Sequence, residues 1–315
     1  MTSQRSILII GGTGHIGQEL APLLLKETST KLIFTTRNAD ALRKTIPTSA
    51  TNAQIEQGNV TDPLWVESII RKHAVDTVFL AITVNGDELI TTLNTFDAMH
   101  RAGGIKQLIY ISVCGNFADP AGLEALSRAN SAGHIAAKIP IELKLKYADF
   151  GWSTTVLGPS MFFTNDERSK RGMLEDGIFD EPHGLGFSRV SMYDIALAAR
   201  NIMFSPPEKY AGRKIQIGSL HRYTGEEVAA LWSKALGKEI KAWGSDVQSM
   251  QQFEDARAKL WGAGFARDIR LMYEAFQVWA FAMSEEEYRV QTEVLGKEAE
   301  GYEEWVMEVG KVWKQ

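Results

Sequence analysis

The sequence contains almost no cysteine, no long apolar run and no excess of positive charge. Cys114 is the only cysteine among 315 residues, which excludes an internal disulfide and favours a reducing compartment. The apolar run at residues 7–10 is too short for a signal sequence or a membrane span. A net charge of −5 argues against a broad phosphate-binding surface, and therefore against direct binding of nucleic acid.

Metal-binding patterns are also missing. The six histidines are scattered, and no Cys/His cluster has the spacing of a metal site. Because no targeting segment is evident either, we expect a metal-free cytoplasmic protein that does not bind a membrane. With 44% hydrophobic and 23% charged residues, the composition is that of a globular protein that can bury a full core. Both a monomer and a homodimer are compatible with it.

Short apolar runs alternate with helical patterns in the first half of the chain. Runs typical of buried strands occur at residues 6–10, 31–35, 53–57, 77–81, 107–112 and 153–157. Amphipathic stretches lie between them, and residues 14–27 are one example. The alternation predicts an α/β fold with a Rossmann-type doubly wound parallel sheet, whose ligand lies at the carboxyl ends of the strands.

The pattern becomes mixed after residue 158. A helix is predicted at residues 193–204, a strand at 214–218 and a helix at 224–236, where Thr224 and Glu227 form a capping box. We therefore expect a Rossmann domain at residues 1–158 and a smaller mixed α/β substrate-binding part at residues 159–315, with some later segments returning to the first domain. Near the end of the chain, an apolar stripe at helical spacing consists of Tyr302, Trp305, Val306, Val309, Val312 and Trp313. This stripe favours a helix packed on its own domain over a partner-binding helix.

A glycine-rich loop, GGTGHIG at residues 11–17, separates the first predicted strand from a helix. Gly11 permits a tight turn, Gly14 lets backbone N–H groups approach a pyrophosphate, and Gly17 lets helix and strand pack closely. The helix N-terminus offers unpaired donors and the positive end of its dipole to phosphates. The loop therefore predicts a dinucleotide site whose contacts are Gly11, Thr13, Gly14, His15, Ile16 and Gly17.

The end of the second strand distinguishes NADPH from NADH. A site for NADH places an acidic residue there, whereas this chain has Arg37 and no acid before Asp40. The Arg37 guanidinium can pair with a 2′-phosphate, and Lys44 is a second candidate cation, so NADPH is favoured. Fold geometry adds contacts at the ends of the third and fourth strands, namely Asn59, Val60, Ala81 and Thr83.

Several segments resemble the NmrA-like family, an atypical branch of the short-chain dehydrogenase/reductases. The resemblance runs from Ile7 to about Trp243 and rests on GGTGHIGQEL, GNVTD at 58–62, YIS at 110–112, HIAAKIPIE at 134–142, LGPSMFFTN at 157–165, VSMYDIA at 190–196 and YTGEEVAALWSKALGKEI at 223–240. In the parent superfamily, catalysis uses a serine after the fifth strand and a Tyr-x-x-x-Lys pair. The resemblance implies Ser112 and Lys138 as catalytic residues, with His134 at the tyrosine position, and it places Pro159 over the nicotinamide.

The pair His134 and Lys138 leaves several roles open. Residues i and i+4 share a helix face, so both side chains can point into one site. A histidine can act as a general acid near neutral pH, and Lys138 can hold the cofactor ribose. The alternatives are a structural histidine and a lysine that is itself the acid or base, as the resemblance to isoflavone-reductase-like relatives implies. Pro140 predicts a kink nearby.

Some other residues near these segments need a separate interpretation. Tyr210 and Lys214 also match Tyr-x-x-x-Lys, but they lie in a turn that leads into a strand, so they are rejected as a catalytic pair. Gly158 stands where the family usually has an arginine. Phe162 and Phe163 are candidates to line an apolar pocket, although core packing is favoured.

Two functions fit these observations. The first is an NADPH-dependent reductase of a C=O or C=C bond in an apolar small molecule, with aromatic and polyketide-like compounds as candidates. The second is a non-catalytic NADP(H) sensor that changes partners with the redox ratio, since this fold supports both kinds of function.

Overall fold

The computed structural model describes residues 4–82, 87–116, 119–120, 124, 132–278 and 282–314. The strands of the first half are β1 (Ser6–Ile10), β2 (Lys31–Thr36), β3 (Ala53–Gln57), β4 (Thr77–Leu80), β5 (Gln107–Ile111) and β6 (Ser153–Pro159). The helices between them are α1 (His15–Leu24), α2 (Ala39–Arg43), α3 (Pro63–His73), α4 (Glu88–Ala102), α5 (Gly133–Ala136) and α6 (Lys138–Tyr147).

The second half mixes short strands with longer helices. Its strands are β7 (Met161–Phe162), β8 (Ile178–Phe179), β9 (Arg189–Val190), β10 (Arg213–Ile217) and β11 (Lys241–Ala242). Its helices are α7 (Met192–Met203), α8 (Gly225–Leu236), α9 (Val247–Trp261), α10 (Ala263–Val278), α11 (Glu285–Leu295) and α12 (Tyr302–Trp313). Tighter 3₁₀-helical turns occur at Phe163–Ser169 and Pro207–Tyr210, and a wider π-helical turn occurs at Gly172–Asp176.

Seven parallel strands form the central sheet in the order β10-β6-β5-β4-β1-β2-β3. The predicted doubly wound Rossmann-type sheet is therefore confirmed. Ile7, Phe79 and Ile109 are each 0% exposed, because helices cover both faces of the sheet. The strand order reverses between β4 and β1, and ligands of such sheets bind at that point, beyond the carboxyl ends of the strands.

Two segments of the second half pack with the central sheet. Strand β10 extends the sheet by pairing with β6, so that Ile215 lies beside Leu157. Helix α7 packs against α1, and both helices contribute to one apolar cluster that includes Leu20 and Ile195. The boundary near residue 158 stays a prediction, but a strand and a helix beyond it do lie on the sheet.

The last helix packs on its own half of the chain. Helix α12 lies against α8, and the ring of Trp313 stacks on Trp232 with a centroid distance of 4.5 Å. Tyr302 and Val306 are buried, whereas Val312 is 66% exposed. The favoured interpretation of the C-terminal stripe is therefore confirmed for most of its residues. The capping box of Thr224 and Glu227 is also present at the start of α8.

Candidate cofactor and reaction site

The loop after β1 depends on glycine at two positions. Gly11 has a φ of +98°, and a Cβ there would lie 2.4 Å from the carbonyl oxygen of Ala81. A Cβ on Gly17 would lie 2.3 Å from the carbonyl oxygen of Gly11. Only a residue without a side chain therefore lets α1 approach β1 and β4 this closely.

Helix α1 begins without a side-chain cap. Gly14 is its N-cap residue, and the first turn contains no acidic side chain. His15 is exposed at the first helical position, while Ile16 is buried in the core. The first N–H groups and the positive end of the helix dipole are therefore available to an anion, which suits a phosphate group.

A cavity of about 110 Å³ brings together six of the thirteen predicted cofactor residues, namely Gly11, Thr13, Arg37, Asn59, Val60 and Ala81. It lies at the carboxyl ends of β1 to β4 and is lined by Ile10, Gly11, Thr13, Thr35, Thr36, Arg37, Gly58, Asn59, Val60, Thr61, Ala81, Ile82 and Thr91. Gly58 is required there, because a Cβ would lie 2.2 Å from the ring of Trp65. The predicted residue Thr83 lies outside the described residues.

Arg37 is an exposed cation at this cavity. Its turn is held by Thr36, whose Oγ1 accepts the Asn38 N–H at 3.0 Å. Within the described part of the chain, no acidic side chain pairs with Arg37, whereas the nearby Arg43 forms an ion pair of 2.7 Å with Asp40. The Arg37 guanidinium is therefore available to a ligand. Lys44 is exposed and is not among the described residues that line the cavity.

Lys138 lies at the carboxyl end of β5, where it meets a buried acid. Its ammonium donates hydrogen bonds to the Glu88 carboxylate and to the carbonyl oxygen of Ile111, the latter at 3.2 Å. The Tyr110 hydroxyl donates to the same Glu88 oxygen at 3.3 Å. Burial, followed by the negative charges of Glu88 and Glu142, raises the pKa of Tyr110 well above its usual value. Tyr110 therefore remains a neutral donor.

Glu88 was missed by the sequence analysis. Its side chain is 0% exposed, and its Oε2 has no hydrogen-bond partner among the described residues. It occupies the first turn of α4, where an acidic residue is ordinarily explained by the helix dipole. Thr91, one turn further along α4, lines the cofactor cavity, so the ion pair of Glu88 and Lys138 lies close to it.

Ser112 contacts a second buried acid. Its hydroxyl donates to the carboxylate of Glu142 on α6. Lys214 of β10 also donates to Glu142, at 2.7 Å to Oε1 and 2.9 Å to Oε2, and to the carbonyl oxygen of Gly115. Tyr210 lies in a separate helical turn before β10, so Tyr210 and Lys214 share no helix, as predicted.

His134 contacts the C-terminal half of the chain. Its Nδ1 and the N–H of Gly133 both hydrogen bond to the carboxylate of Asp268 on α10. Burial is the strongest influence and raises the pKa of Asp268, but hydrogen bonds and the charge of His134 outweigh it and lower the net value. His134 thus has the contacts of a structural residue, which is one of the alternatives that the sequence left open.

A one-residue interruption of the helix at Ala137 separates the two residues of the His-x-x-x-Lys pattern, just before Pro140. Helix α5 ends at Ala136 and α6 begins at Lys138, two residues before the proline. A proline has no N–H to donate to the preceding turn, so the helix is interrupted there. His134 and Lys138 therefore lie on different helices, although Ala137 between them keeps helical dihedral angles (φ −60°, ψ −29°), and the kink stays a prediction.

Gln216 takes the space in which the family usually has an arginine. A Cβ on Gly158 would lie 2.4 Å from the Oε1 of Gln216. That oxygen accepts the Gly115 N–H at 3.2 Å, and the Gln216 Nε2 donates to Asn116 at 3.1 Å. Gln216 lies on β10, the strand beside β6, and anchors the loop after β5 from there. The sequence pattern did not reveal this contact.

The loop after β5 is also attached to the end of β6. The carbonyl oxygen of Pro159 accepts the Cys114 N–H at 2.9 Å. Cys114 is 1% exposed, and burial raises the pKa of its thiol to about 11. The thiol is therefore protonated at neutral pH. Phe163 is 2% exposed within a core cluster, in agreement with the favoured interpretation, and Phe162 is half-buried against the main core.

Across the described ranges, no three His, Cys, Asp or Glu side chains are grouped as a metal site would require. None of the helices in the part of the chain that the structure describes combines the length and apolar character of a membrane span.

Comparison with known proteins gives a family and a set of similar folds. The sequence profile of the NmrA-like family matches residues 3–278. An isoflavone reductase-like protein of Olea europaea is 24% identical over 276 residues, which cover 81% of this chain and 83% of that protein.

Solved structures match at lower identity. An NADPH-dependent quinone oxidoreductase of Escherichia coli, complexed with NADPH, has a TM-score of 0.79 and 20% identity over 96% of this chain and 99% of its own. Triphenylmethane reductase of Citrobacter sp., complexed with NADP(H), has a TM-score of 0.72 and 16% identity, with 96% and 99% coverage. NmrA, a negative transcriptional regulator in complex with NADP, has a TM-score of 0.73 and 15% identity, with 99% and 97% coverage. These structures share the fold.

Proposed function

The chain belongs to the NmrA-like family, and we propose that it is an NADPH-dependent reductase of a C=O or C=C bond in an apolar small molecule. One observation carries this proposal: Ser112 and Lys138 are buried together with acidic partners at the carboxyl end of β5. A cofactor sensor requires only the cavity at β1 to β4. Buried ionised groups beside it cost free energy, and such groups cluster where chemistry is performed.

The residues at the cavity fit the parts of NADPH. The uncapped N-terminus of α1 suits the pyrophosphate, and the glycines leave no side chain in its way. The guanidinium of Arg37 suits the 2′-phosphate, because it is planar, permanently charged and without an acidic partner in the described chain. Asn59, Val60 and Ala81 would contact the remaining adenosine and ribose groups, and Thr83 stays a prediction.

The groups at the end of β5 would serve the reaction. When bound, NADPH supplies a hydride. Lys138, held in place by Glu88 and Ile111, would bind the nicotinamide ribose. Ser112 would donate its hydroxyl proton to the substrate oxygen, or polarise that oxygen by a hydrogen bond. His134 would hold α5 against α10 through Asp268, and Pro159 would hold the loop that carries Cys114.

A second candidate is a non-catalytic NADP(H) sensor. The observation in its favour is the side chain at the tyrosine position, because His134 pairs with Asp268 and not with a group beside Lys138. Similarity to the transcriptional regulator NmrA, whose structure contains NADP, points in the same direction. A sensor would need a partner whose affinity differs between the NADPH-bound and NADP-bound forms.

Deuteride transfer distinguishes these two functions. NADPH labelled at the reactive hydrogen is incubated with the protein and a panel of aromatic ketones and enones, whose products keep the deuterium on carbon, and products are examined by mass spectrometry. We expect label in at least one product, and the Ser112→Ala variant should reduce its rate by about 100-fold while NADPH still binds. If NADPH binds tightly and no label reaches any acceptor, the reductase proposal fails.

A further inference from the structure

Three polar side chains form a continuous chain that starts at the proposed proton donor, Ser112. Ser112 is 6% exposed and Glu142 is 4% exposed, and the first donates to the second. The ammonium of Lys214 lies 2.7 Å from the same Glu142 oxygen that accepts the Ser112 hydroxyl. A proton can therefore cross between Lys214 and Ser112 over a single carboxylate oxygen.

The far end of this chain opens into a second cavity. This cavity has a volume of about 270 Å³ and is lined by Asn116, Asp119, Glu142, Leu145, Lys146, Thr154, Val156, Gly212, Arg213 and Lys214. Asp119 and Lys146 pair at its rim, where their side chains are 56% and 43% exposed. The space is polar and large enough for several water molecules, so solvent protons can reach Lys214.

We propose that Glu142 and Lys214 return protons from this second cavity to Ser112 during turnover. The inference rests on the proposed reductase function. Neither residue touches substrate or cofactor in this scheme, so both are positioning and relay residues that act through Ser112.

The proton transfers balance. The substrate oxygen gains the Ser112 hydroxyl proton, so one O–H bond forms there and one breaks at Ser112. The Lys214 ammonium then gives a proton to the Glu142 carboxylate, and Glu142 passes a proton to the Ser112 alkoxide, which restores the carboxylate and the hydroxyl. The neutral Lys214 amine is reprotonated by water in the second cavity, so the net donor is solvent. The hydride, with its two electrons, comes from NADPH under the proposed function.

The surroundings of Lys214 favour its loss of a proton. Burial lowers the pKa of its ammonium most strongly, and the positive charge of Lys138 on α6 contributes in the same direction. Glu142 and Cys114 oppose this effect, yet the net pKa lies below the usual value for lysine. Tyr110 of β5 faces Glu142 as a neutral hydroxyl, because its own pKa is raised.

A purely structural ion pair is the alternative, and two variants of Lys214 separate it from proton transfer. Lys214→Arg keeps a cation beside Glu142, but a guanidinium does not release its proton in proteins. Lys214→Gln removes both the cation beside Glu142 and the group that can release a proton. Lys146→Gln is the matched control, because Lys146 lines the same cavity outside the chain of three residues.

The experiment follows deuteride transfer in steady-state turnover, with its dependence on pH and on solvent D₂O. For Lys214→Arg and Glu142→Gln, we expect kcat to fall at least about tenfold, with KM and the Kd of NADPH unchanged. Their solvent isotope effects should rise. The wild-type rate should also fall as the pH rises and Lys214 loses its proton. Both variants should lack this fall. Lys146→Gln should behave as wild type.

Three other results have distinct meanings. If Lys214→Arg keeps the wild-type rate, isotope effect and pH profile, the relay is overturned and the pair is structural. If circular dichroism shows that Glu142→Gln is misfolded, the result for Lys214→Arg alone decides between the relay and a structural ion pair. If the wild-type protein transfers no deuteride to any acceptor, the reductase proposal fails, and the relay fails with it.

Discussion

The ammonium of Lys138 and the carboxylate of Glu88 form an ion pair that solvent barely reaches. The two residues are 50 positions apart in the sequence, and their side chains are 7% and 0% exposed. The Tyr110 hydroxyl donates a further hydrogen bond to Glu88, and the Ile111 carbonyl oxygen accepts one from Lys138. Since an isolated buried charge is unfavourable, each residue supplies the counter-charge that the other needs.

Glu88→Gln should destabilise the protein by about 3 kcal/mol, because it leaves the Lys138 ammonium buried without a counter-charge. Lys138→Met should destabilise the protein by a similar amount, because it leaves the Glu88 carboxylate buried without a counter-charge. The double variant should recover most of the loss, since it leaves neither charge behind. Urea unfolding followed by circular dichroism gives the three free energies of unfolding. Additive losses in the double variant would contradict this coupling.

Arg37→Ala should raise the Kd of NADPH by a factor of about 10 to 100, because charge-assisted hydrogen bonds to the 2′-phosphate are lost. The Kd of NADH should change little, since NADH has no such phosphate. Arg43→Ala is the matched control, as Arg43 is a nearby exposed cation that pairs with Asp40. Isothermal titration calorimetry measures each affinity. Equal weakening of both cofactors would remove Arg37 from the 2′-phosphate site.

Gly17→Ala should both destabilise the fold and weaken NADPH binding. The new Cβ would lie 2.3 Å from the Gly11 carbonyl oxygen, so α1 must move away from the glycine loop. We expect a loss of about 2 kcal/mol in the free energy of unfolding, the usual range for overpacking. Gly264→Ala in α10 is the control, since its Cβ would meet nothing within 4 Å. That variant should keep or gain stability.

The parts of the fold that the sequence predicts correctly are those with local causes. Strands β1 and β3 begin and end at the predicted residues, since their limits follow from a run of suitable side chains between turns. The glycine loop was equally local, because the need for small residues is set by chain geometry within a few positions.

The missed contacts depend on distant packing. Glu142 and Lys214 are 72 positions apart, and His134 and Asp268 are 134 apart. Taken alone, Glu142 and Asp268 resemble ordinary solvated charges on a helix. Their roles arise only when α6, β10 and α10 meet. The helices at Val247–Trp261 and Ala263–Val278 were not predicted, because their apolar residues serve a contact with each other.

His183 gives the fold a dependence on pH. Its Nδ1 lies 3.1 Å from the guanidinium of Arg189, which can only donate, so this nitrogen must be an unprotonated acceptor. Burial, and then the positive charges of Arg189 and Arg168, lower the pKa of His183 well below its usual value. The folded protein therefore keeps His183 neutral, whereas the unfolded chain takes up a proton below about pH 6.5.

The free energy of unfolding should accordingly fall as the pH drops from about 7 to about 5, by about 1.4 kcal/mol per pH unit for this one group. His183→Gln keeps an acceptor for Arg189 but cannot titrate, so its stability should depend less steeply on pH. His221→Gln, at a side chain that is 58% exposed, is the control. Chemical denaturation at each pH measures the slopes, and equal slopes for wild type and His183→Gln would refute the assignment.

The return of β10 to the central sheet determines when the sheet can be completed during synthesis. Strand β6 gains its outer neighbour only after residues 213–217 have left the ribosome, and α1 gains its cover only with α7. Until then, one strand edge and the apolar face of α1 remain open to other chains. The two halves are therefore interdependent during folding, and such non-local pairing makes folding slow.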